Sequence, residues 1–184
     1  LDALLAARPE ITSDEAFARI RKDWQDFAGI KSLKEPRGFV GQLRDYQREG
    51  LGWFEFLQRF KFGGCLADDM GLGKTVQTLA AAEILARERG IERVLVVAPA
   101  SVKYQWEGEI RKFTDRPVQI VEGLKDAREE QYVQDAFYKL VNYEQVVRDL
   151  DLMNAWRPDV VVLDEAQRIK NWESKISRAV KRLR

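Results

Sequence analysis

Hydrophobic residues along the chain form either short uninterrupted runs or stripes with helical spacing. Short runs of this kind, several of them apolar throughout, predict buried strands at residues 64–67, 93–98, 117–121, 136–141 and 159–163. Continuous apolar strands are typical of a parallel sheet that is covered on both faces. The pattern therefore predicts an α/β fold with a doubly wound, mainly parallel sheet of about five strands.

Between these runs, apolar side chains recur every three or four residues, which predicts amphipathic helices. The predicted helices cover residues 43–60, 73–89, 101–113, 125–132 and 142–149, and helical sequence follows the last strand to the end of the chain. Strands and helices therefore alternate along the chain, as they do in folds built on a parallel sheet.

The first 41 residues have a different pattern. Thr12 and Glu15 form a capping box, which opens a helix with an apolar face. That face comprises Phe17, Ile20, Trp24 and Phe27. Residues 30–41, with Pro36 and Gly38, are predicted to be a linker. We therefore expect a helical lead-in and linker at residues 1–41 and one compact lobe at residues 42–184. The chain does not begin with Met, so we expect it to be a fragment.

Composition excludes several classes of chemistry. The 184 residues carry a net charge of +1, so overall charge does not predict a nucleic-acid partner. With one cysteine, Cys65, and no histidine, the chain excludes an internal disulfide and a zinc site built on His and Cys. No apolar run is long enough to span a membrane, and no signal peptide is recognisable. We expect a cytoplasmic protein without a membrane partner, associated with the nucleoid if it is bacterial.

A glycine-rich segment follows the predicted strand 64–67 and precedes a predicted helix. Residues 67–75 read ADDMGLGKT, and this stretch has the GKT ending of a phosphate-binding loop. Its amide groups and the helix N-terminus would face a triphosphate. Lys74 would reach the outer phosphates, and the Thr75 hydroxyl would bind Mg²⁺. The expected phosphate-binding residues are Asp69, Met70, Gly71, Leu72, Gly73, Lys74 and Thr75. The alternative is a glycine-rich turn before a surface helix, and Asp68 departs from the glycine of the common pattern.

Two adjacent carboxylates, Asp164 and Glu165, end the predicted strand 159–163. Asp164 would hold Mg²⁺ through water, while Glu165 would orient or deprotonate the attacking water. Adjacent acids also commonly begin helices, which is the alternative interpretation. A phosphate loop at the same edge of the sheet favours the chemical interpretation, with Glu165 and Lys74 as catalytic residues.

Taken together, ADDMGLGKT, DEAQ and the upstream LRDYQREGLGWF resemble the Swi/Snf-type DNA translocase ATPases of helicase superfamily two, and the bacterial members in particular. That family usually carries aspartate at the position of Asp68. The resemblance implies the N-terminal RecA-like lobe of a P-loop NTPase, with ATP and Mg²⁺ as cofactors. It also implies backbone contacts with double-stranded DNA, and a nucleoprotein or DNA-bound protein as the target.

The resemblance assigns further roles to single residues. Gln47 is the expected adenine-binding residue, although it could simply lie at a helix start. The residues expected to contact the DNA backbone are Pro99, Ser101, Lys103 and Asn142; the family usually has Thr at position 142. Lys103 could instead be an ordinary solvated lysine, and Trp106 could be a core residue rather than one that stacks on bases. The basic residues of 168–184 could attract phosphate or form a solvated helix face.

The implied function is the first lobe of an ATP-dependent double-stranded-DNA translocase, an ATP hydrolase in the full-length protein. A second lobe with arginine fingers would complete its ATP site, so we expect these 184 residues alone to be inactive. One alternative is the lobe of an RNA helicase, against which DEAQ and Asp68 argue. Another is a nucleotide-binding module that does not hydrolyse ATP, against which Lys74, Asp164 and Glu165 argue.

Overall fold

The sheet is the centre of the computed structural model, which describes residues 22, 29–60, 62–69 and 71–183. Four strands in this part of the chain pair in parallel, in the order β2-β3-β1-β4. They are β1 (Val94–Val97), β2 (Val118–Ile120), β3 (Tyr138–Val141) and β4 (Val160–Leu163). The predicted α/β fold with a parallel sheet is therefore confirmed. Of the helix predicted to open at the capping box of Thr12 and Glu15, only residue 22 is among the described residues, and the loop residue Met70 lies outside them.

Seven α-helices flank the sheet in the described part of the chain. They are α1 (Asp45–Phe60), α2 (Lys74–Arg89), α3 (Lys103–Phe113), α4 (Lys125–Val133), α5 (Tyr143–Arg148), α6 (Leu150–Trp156) and α7 (Lys175–Val180). Short 3-10 helices lie at Ala100–Val102 and Ala166–Ile169. Helix α6 was not predicted. It begins where Asp149 ends α5 and bends the backbone between the two helices.

Both faces of the sheet are buried, because alternate residues of each strand enter separate cores. Val94 and Val96 of β1 pack with side chains of α1, α2 and α3, including Leu51, Leu79 and Ile110. Leu95 and Val97 face the other way, into a core that includes Tyr143, Val146, Met153 and Val180. This arrangement explains why β1 and β4 are apolar throughout, while β2 and β3 each carry a single polar residue, Gln119 and Lys139.

A charged residue, Lys139, is fully buried within β3. Its ammonium group donates to the side chain of Gln119 and to the carbonyls of Gln131 and Gln134. The two carbonyls lie at the C-terminal end of α4, where a helix favours positive charge. Burial lowers the pKa of Lys139 to about 8.

The predicted strand at residues 64–67 is wrong, since residues 62–69 form no strand in this structure. Gly64 lies against α1 instead. A Cβ atom on Gly64 would come within 2.3 Å of Leu57 Cδ1 and 2.7 Å of the Trp53 ring. Packing on the aromatic side of α1, together with two consecutive glycines, outweighs strand pairing for so short an apolar run.

The segment that precedes α1 is joined to the lobe by hydrogen bonds. Leu33 donates its amide to the carbonyl of Arg48, and Val40 donates to the carbonyl of Phe113 at 2.7 Å. The Phe39 ring stacks on that of Phe113, with centroids 5.6 Å apart. This segment therefore packs on the lobe, although it has no regular secondary structure, and the boundary at residue 41 stays a prediction. No helix in the described part of the chain is long and apolar enough to cross a membrane.

The Glu35 carboxylate is the main polar tie between this segment and α1. It accepts hydrogen bonds from the Leu43 amide at 2.6 Å and from Arg48 Nη2 at 2.8 Å. The bond from Arg48 is the largest cause that lowers the pKa of Glu35, to about 2.

We predict that Glu35→Gln destabilises the protein by about 1 kcal/mol at pH 7, the typical net value of one hydrogen bond. A carboxylate with a depressed pKa stabilises the fold above its unfolded pKa. Its contribution is lost as pH falls through the folded value of about 2. Urea unfolding should therefore show a smaller difference in the free energy of unfolding between wild type and Glu35→Gln near pH 2 than at pH 7. Glu49→Gln, a change at an exposed position of α1, is the control. An effect of Glu35→Gln that is equal at both pH values would contradict the assignment.

Candidate functional site

The phosphate loop and the paired carboxylates lie toward the same edge of the sheet. Helix α2 begins at Lys74 and ends at Arg89, just before β1. The Asp159 carboxylate, at the start of β4, accepts the amides of Glu92 and Arg93 at 2.8 and 2.9 Å. The C-terminal end of α2 therefore lies at the edge where the strands begin. Its N-terminus points toward the opposite edge, where Asp164 follows β4.

Two side chains of α1 hold the loop at Leu72. The Leu72 carbonyl accepts hydrogen bonds from the Tyr46 hydroxyl at 2.9 Å and from Gln47 Nε2 at 3.0 Å. Gln47 is buried, and its Oε1 accepts the Arg44 amide. Gly73 then precedes α2 with φ 78° and ψ 41°, in the left-handed region. Gln47 thus contacts the loop itself, while its predicted contact with adenine stays a prediction.

Asp68 has a structural role that explains the departure from glycine. Its carboxylate accepts a hydrogen bond at 2.9 Å from Nε2 of Gln77, a buried residue of α2. This bond ties the start of the loop to the helix that follows it. Lys74 Nζ donates to the carbonyls of Asp68 and Asp69, at 2.6 and 3.1 Å. The lysine therefore lies over the loop rather than extending into solvent.

The groups at this edge fit a triphosphate and Mg²⁺. Amides at the N-terminus of a sixteen-residue helix follow the loop and favour a bound anion. A Cβ atom on Gly71 would meet nothing within 4 Å, so the space beside the loop is open. The Thr75 hydroxyl and the Asp164 carboxylate are hard oxygen ligands, which Mg²⁺ prefers.

Asp164 is held at three of its atoms. Its amide donates to the Val97 carbonyl at 2.9 Å, and its carbonyl accepts the Tyr143 hydroxyl at 2.6 Å. Its Oδ2 accepts the indole N–H of Trp106 at 2.8 Å. Trp106 is 5% exposed, so its interpretation as a core residue is confirmed. The bond to Asp164 was not predicted, although a buried tryptophan usually finds an acceptor for its N–H.

Glu165 differs from Asp164 in its exposure and in its backbone conformation. Its side chain is exposed, and its carboxylate accepts a hydrogen bond from the Gln167 amide group. It has φ 54° and ψ 50°, a conformation that non-glycine residues rarely adopt and that often marks functional sites. Within residues 62–69 and 71–183, no hydrogen bond or ion pair joins the loop to Asp164 or Glu165. In this structure the carboxylates are therefore not tied to the loop by a hydrogen bond or an ion pair.

The residues predicted to contact DNA have differing surroundings. Ser101 is exposed, whereas Pro99 is buried. Lys103 is also buried; its Nζ donates to the Val121 carbonyl at 3.3 Å, and burial lowers its pKa. The alternative of a solvated lysine is therefore wrong for Lys103. Asn142 caps α5 through reciprocal hydrogen bonds with Gln145. Contact of these four residues with DNA stays a prediction.

The basic residues after β4 form an exposed group. Arg168 lies 3.7 Å from the Glu144 carboxylate, and Arg178 donates to the Glu173 carbonyl. The exposed members are Arg168, Lys170, Lys175, Arg178, Lys181 and Arg182. Arg184, which the prediction included, lies outside the described residues. Exposure is compatible with either interpretation of this cluster.

Comparison with known families gives a match over most of the chain. The family described as "SNF2-related domain" matches residues 46–184. Among curated relatives, the chain is 36% identical to the putative ATP-dependent helicase/translocase YwqA of Bacillus subtilis, over 79% of this chain and 16% of that protein. It is 36% identical to the chromatin-remodeling ATPase INO80 of Sclerotinia sclerotiorum, over 79% of this chain and 9% of that protein.

Solved structures agree with the sequence relatives. The SWI2/SNF2 ATPase core of Sulfolobus solfataricus, in complex with double-stranded DNA, matches with a TM-score of 0.76 and 36% identity, covering 84% of this chain and 32% of that one. The SWI2/SNF2 ATPase core domain of Sulfolobus solfataricus also matches, with a TM-score of 0.69 and 34% identity, covering 85% of this chain and 32% of that one. The chain thus spans about a third of these structures and less than a fifth of the curated relatives named above.

We predict that Gly73→Ala weakens nucleotide binding by at least about tenfold, equivalent to roughly 1.4 kcal/mol. The added Cβ would lie 2.6 Å from Gln47 Nε2 and would displace one of the bonds that hold Leu72. Titration with a fluorescent ATP analogue in Mg²⁺ measures the effect.

Gly90→Ala is the matched control, because Gly90 is also left-handed (φ 68°) but has open space around its Cα. Both variants should lose roughly 1–2 kcal/mol of stability from the strained backbone. Only Gly73→Ala should lose affinity, and equal affinity in the two variants would show that the loop does not bind nucleotide.

Proposed function

The chain belongs to the SNF2-related family, and from this membership we propose that it is the first lobe of an ATP-dependent translocase that moves along double-stranded DNA. The observation that carries the proposal is the position of the loop and the carboxylates at one edge of the sheet. Ligands of open α/β sheets bind at this edge.

In the proposed ATP complex, the loop amides from Asp69 to Thr75 surround the phosphates. Lys74 exchanges its bonds with the Asp68 and Asp69 carbonyls for bonds with phosphate oxygens, which requires only a rotation of its flexible side chain. Gln47 binds adenine from its position beside Leu72. These roles use side chains that already converge on the loop.

Thr75 and Asp164 would hold Mg²⁺, which when bound neutralises charge on the phosphoryl group that is transferred. Trp106 occupies Oδ2 of Asp164, so the other carboxylate oxygen is the one available to a metal-bound water. Glu165 would orient the attacking water and accept its proton. The exposure of Glu165 and its distinct backbone conformation give it freedom to approach that water.

The proposed partners are duplex DNA and a protein bound to that DNA. Ser101, Pro99, Lys103 and Asn142 mark the segments that would lie along the DNA backbone, and the exposed cluster from Arg168 to Arg182 would add positive charge. Backbone contacts carry little sequence information, so binding should be insensitive to sequence and strongly dependent on salt. Support comes from the similar SWI2/SNF2 ATPase core of Sulfolobus solfataricus, which was solved in complex with double-stranded DNA. We place this activity in the cytoplasm, on the nucleoid if the source is bacterial.

We predict that Glu165→Gln in the full-length protein retains ATP binding but lowers DNA-stimulated hydrolysis by roughly 10²–10⁴-fold, the range expected for loss of a general base. Steady-state ATPase assays with and without duplex DNA measure the rate. Glu173→Gln, at another exposed glutamate near this edge, should keep the wild-type rate.

The same assay separates the proposed function from its alternatives. Stimulation by duplex DNA but not by RNA supports a DNA translocase, and stimulation by RNA alone would indicate an RNA helicase. A wild-type protein that binds ATP but never hydrolyses it would be a nucleotide-binding module. Full activity in Glu165→Gln would overturn the role of Glu165.

A further inference from the structure

Each of the two segments expected to contact DNA lies directly beside an aromatic residue that bonds to Asp164. Trp106 is three residues after Lys103 on α3, and Tyr143 follows Asn142 at the start of α5. Both donate a hydrogen bond to the same residue, one to its side chain and one to its backbone. Asp164 therefore accepts a hydrogen bond from an aromatic residue beside each of the two segments.

Trp106 holds one oxygen of the Asp164 carboxylate by a hydrogen bond. The indole is buried in the core shared with α2 and β1, so its position depends on how α3 packs. Its N–H lies 2.8 Å from Oδ2. The other carboxylate oxygen accepts no hydrogen bond from residues 29–60, 62–69 or 71–183. A small rotation of α3 would therefore turn the free oxygen relative to the loop.

Tyr143 controls the backbone at the same position. It is fully buried in the second core, and its hydroxyl donates to the Asp164 carbonyl at 2.6 Å.

A shared carbonyl joins the two segments, so that they would move together. The Val121 carbonyl accepts Lys103 Nζ at 3.3 Å and Gln145 Nε2 at 2.8 Å. Gln145 in turn exchanges two hydrogen bonds with Asn142. None of these three side chains extends freely into solvent, since Lys103 and Gln145 are buried and Asn142 is half-buried.

We propose that Trp106 and Tyr143 are positioning residues that couple DNA contact at Pro99–Lys103 and Asn142 to the orientation of the Asp164 carboxylate. The inference rests on the proposed function and adds to it a route by which DNA stimulates the ATP site. DNA that shifts either segment moves an aromatic side chain, and the aromatic side chain moves Asp164. Both aromatic residues are buried, so the proposal has them act through Asp164.

The test uses Trp106→Phe and Tyr143→Phe in the full-length protein, because each removes one donor and keeps a buried ring. Trp156→Phe and Tyr132→Phe are the controls. Trp156 is about as buried as Trp106 but makes no hydrogen bond to Asp164, and the buried Tyr132 hydroxyl has no hydrogen-bond partner among the described residues. The readout is the Mg²⁺ concentration for half-maximal binding of a fluorescent ATP analogue, with and without duplex DNA. Affinity for the duplex and ATPase rate are measured in parallel.

We expect duplex DNA to lower this Mg²⁺ midpoint in the wild type and in both controls. Trp106→Phe and Tyr143→Phe should raise it by about tenfold, the lower end of the effects seen when residues that orient metal ligands are changed. In both variants, duplex DNA should no longer change the Mg²⁺ midpoint, although the variants should bind duplex DNA with unchanged affinity. If Trp106→Phe lowers the folded fraction, Tyr143→Phe decides the outcome, since it removes a single oxygen atom.

Two negative results distinguish failure of the coupling from failure of the proposed function. If wild type responds to DNA and both variants keep its midpoint and its response, the coupling is overturned while the translocase function stands. If wild type binds Mg²⁺ and nucleotide but shows neither a midpoint response nor an ATPase response to DNA, the proposed function fails and the coupling fails with it.

Discussion

Parallel pairing of the four strands determines where the candidate functional residues of this chain lie. Val97 of β1 pairs with Val141 on one side and Leu163 on the other. The residues that follow, including Asn142 and Asp164, must therefore leave the sheet at one edge and in adjacent positions. Burial of both faces maintains this register, since each fully buried Val or Leu contributes about 1.5–3 kcal/mol and a slip would expose the set.

Position at that edge is then refined by hydrogen bonds from buried side chains. Gln47 fixes the carbonyl of Leu72 in the loop, and Trp106 and Tyr143 fix Asp164. Glu165, one residue further on, is exposed and has no such support from the core. A metal ligand benefits from a rigid position, whereas a group that must meet a mobile water benefits from freedom. The contrast between the two neighbouring carboxylates matches the different roles proposed for them.

The local sequence pattern was sufficient to predict the buried strands of the sheet. The runs that became β1, β2, β3 and β4 were predictable because burial on both faces favours apolar residues along each strand, even though β2 and β3 each include one polar residue. The failure at residues 64–67 arose because the contact of Gly64 with Trp53 is a property of the tertiary structure. The burial of Lys139 was equally unpredictable, because a lysine in a strand is expected to be exposed unless its acceptors at the end of α4 are known. In the site, motif spacing predicted the loop and the carboxylates, but not the supports supplied by distant residues.

The central claim is that the loop at residues 67–75 binds the phosphates of ATP together with Mg²⁺. Calorimetric titration of ATP into wild type and Lys74→Ala, with Mg²⁺ and with a chelator, tests it most directly. Loss of one charged hydrogen-bond donor to phosphate should weaken binding by roughly 1.5–3 kcal/mol, or about 10- to 150-fold. The account predicts Mg²⁺-dependent binding in wild type and this loss in Lys74→Ala. Equal affinity in the two proteins, or binding that ignores Mg²⁺, would contradict it.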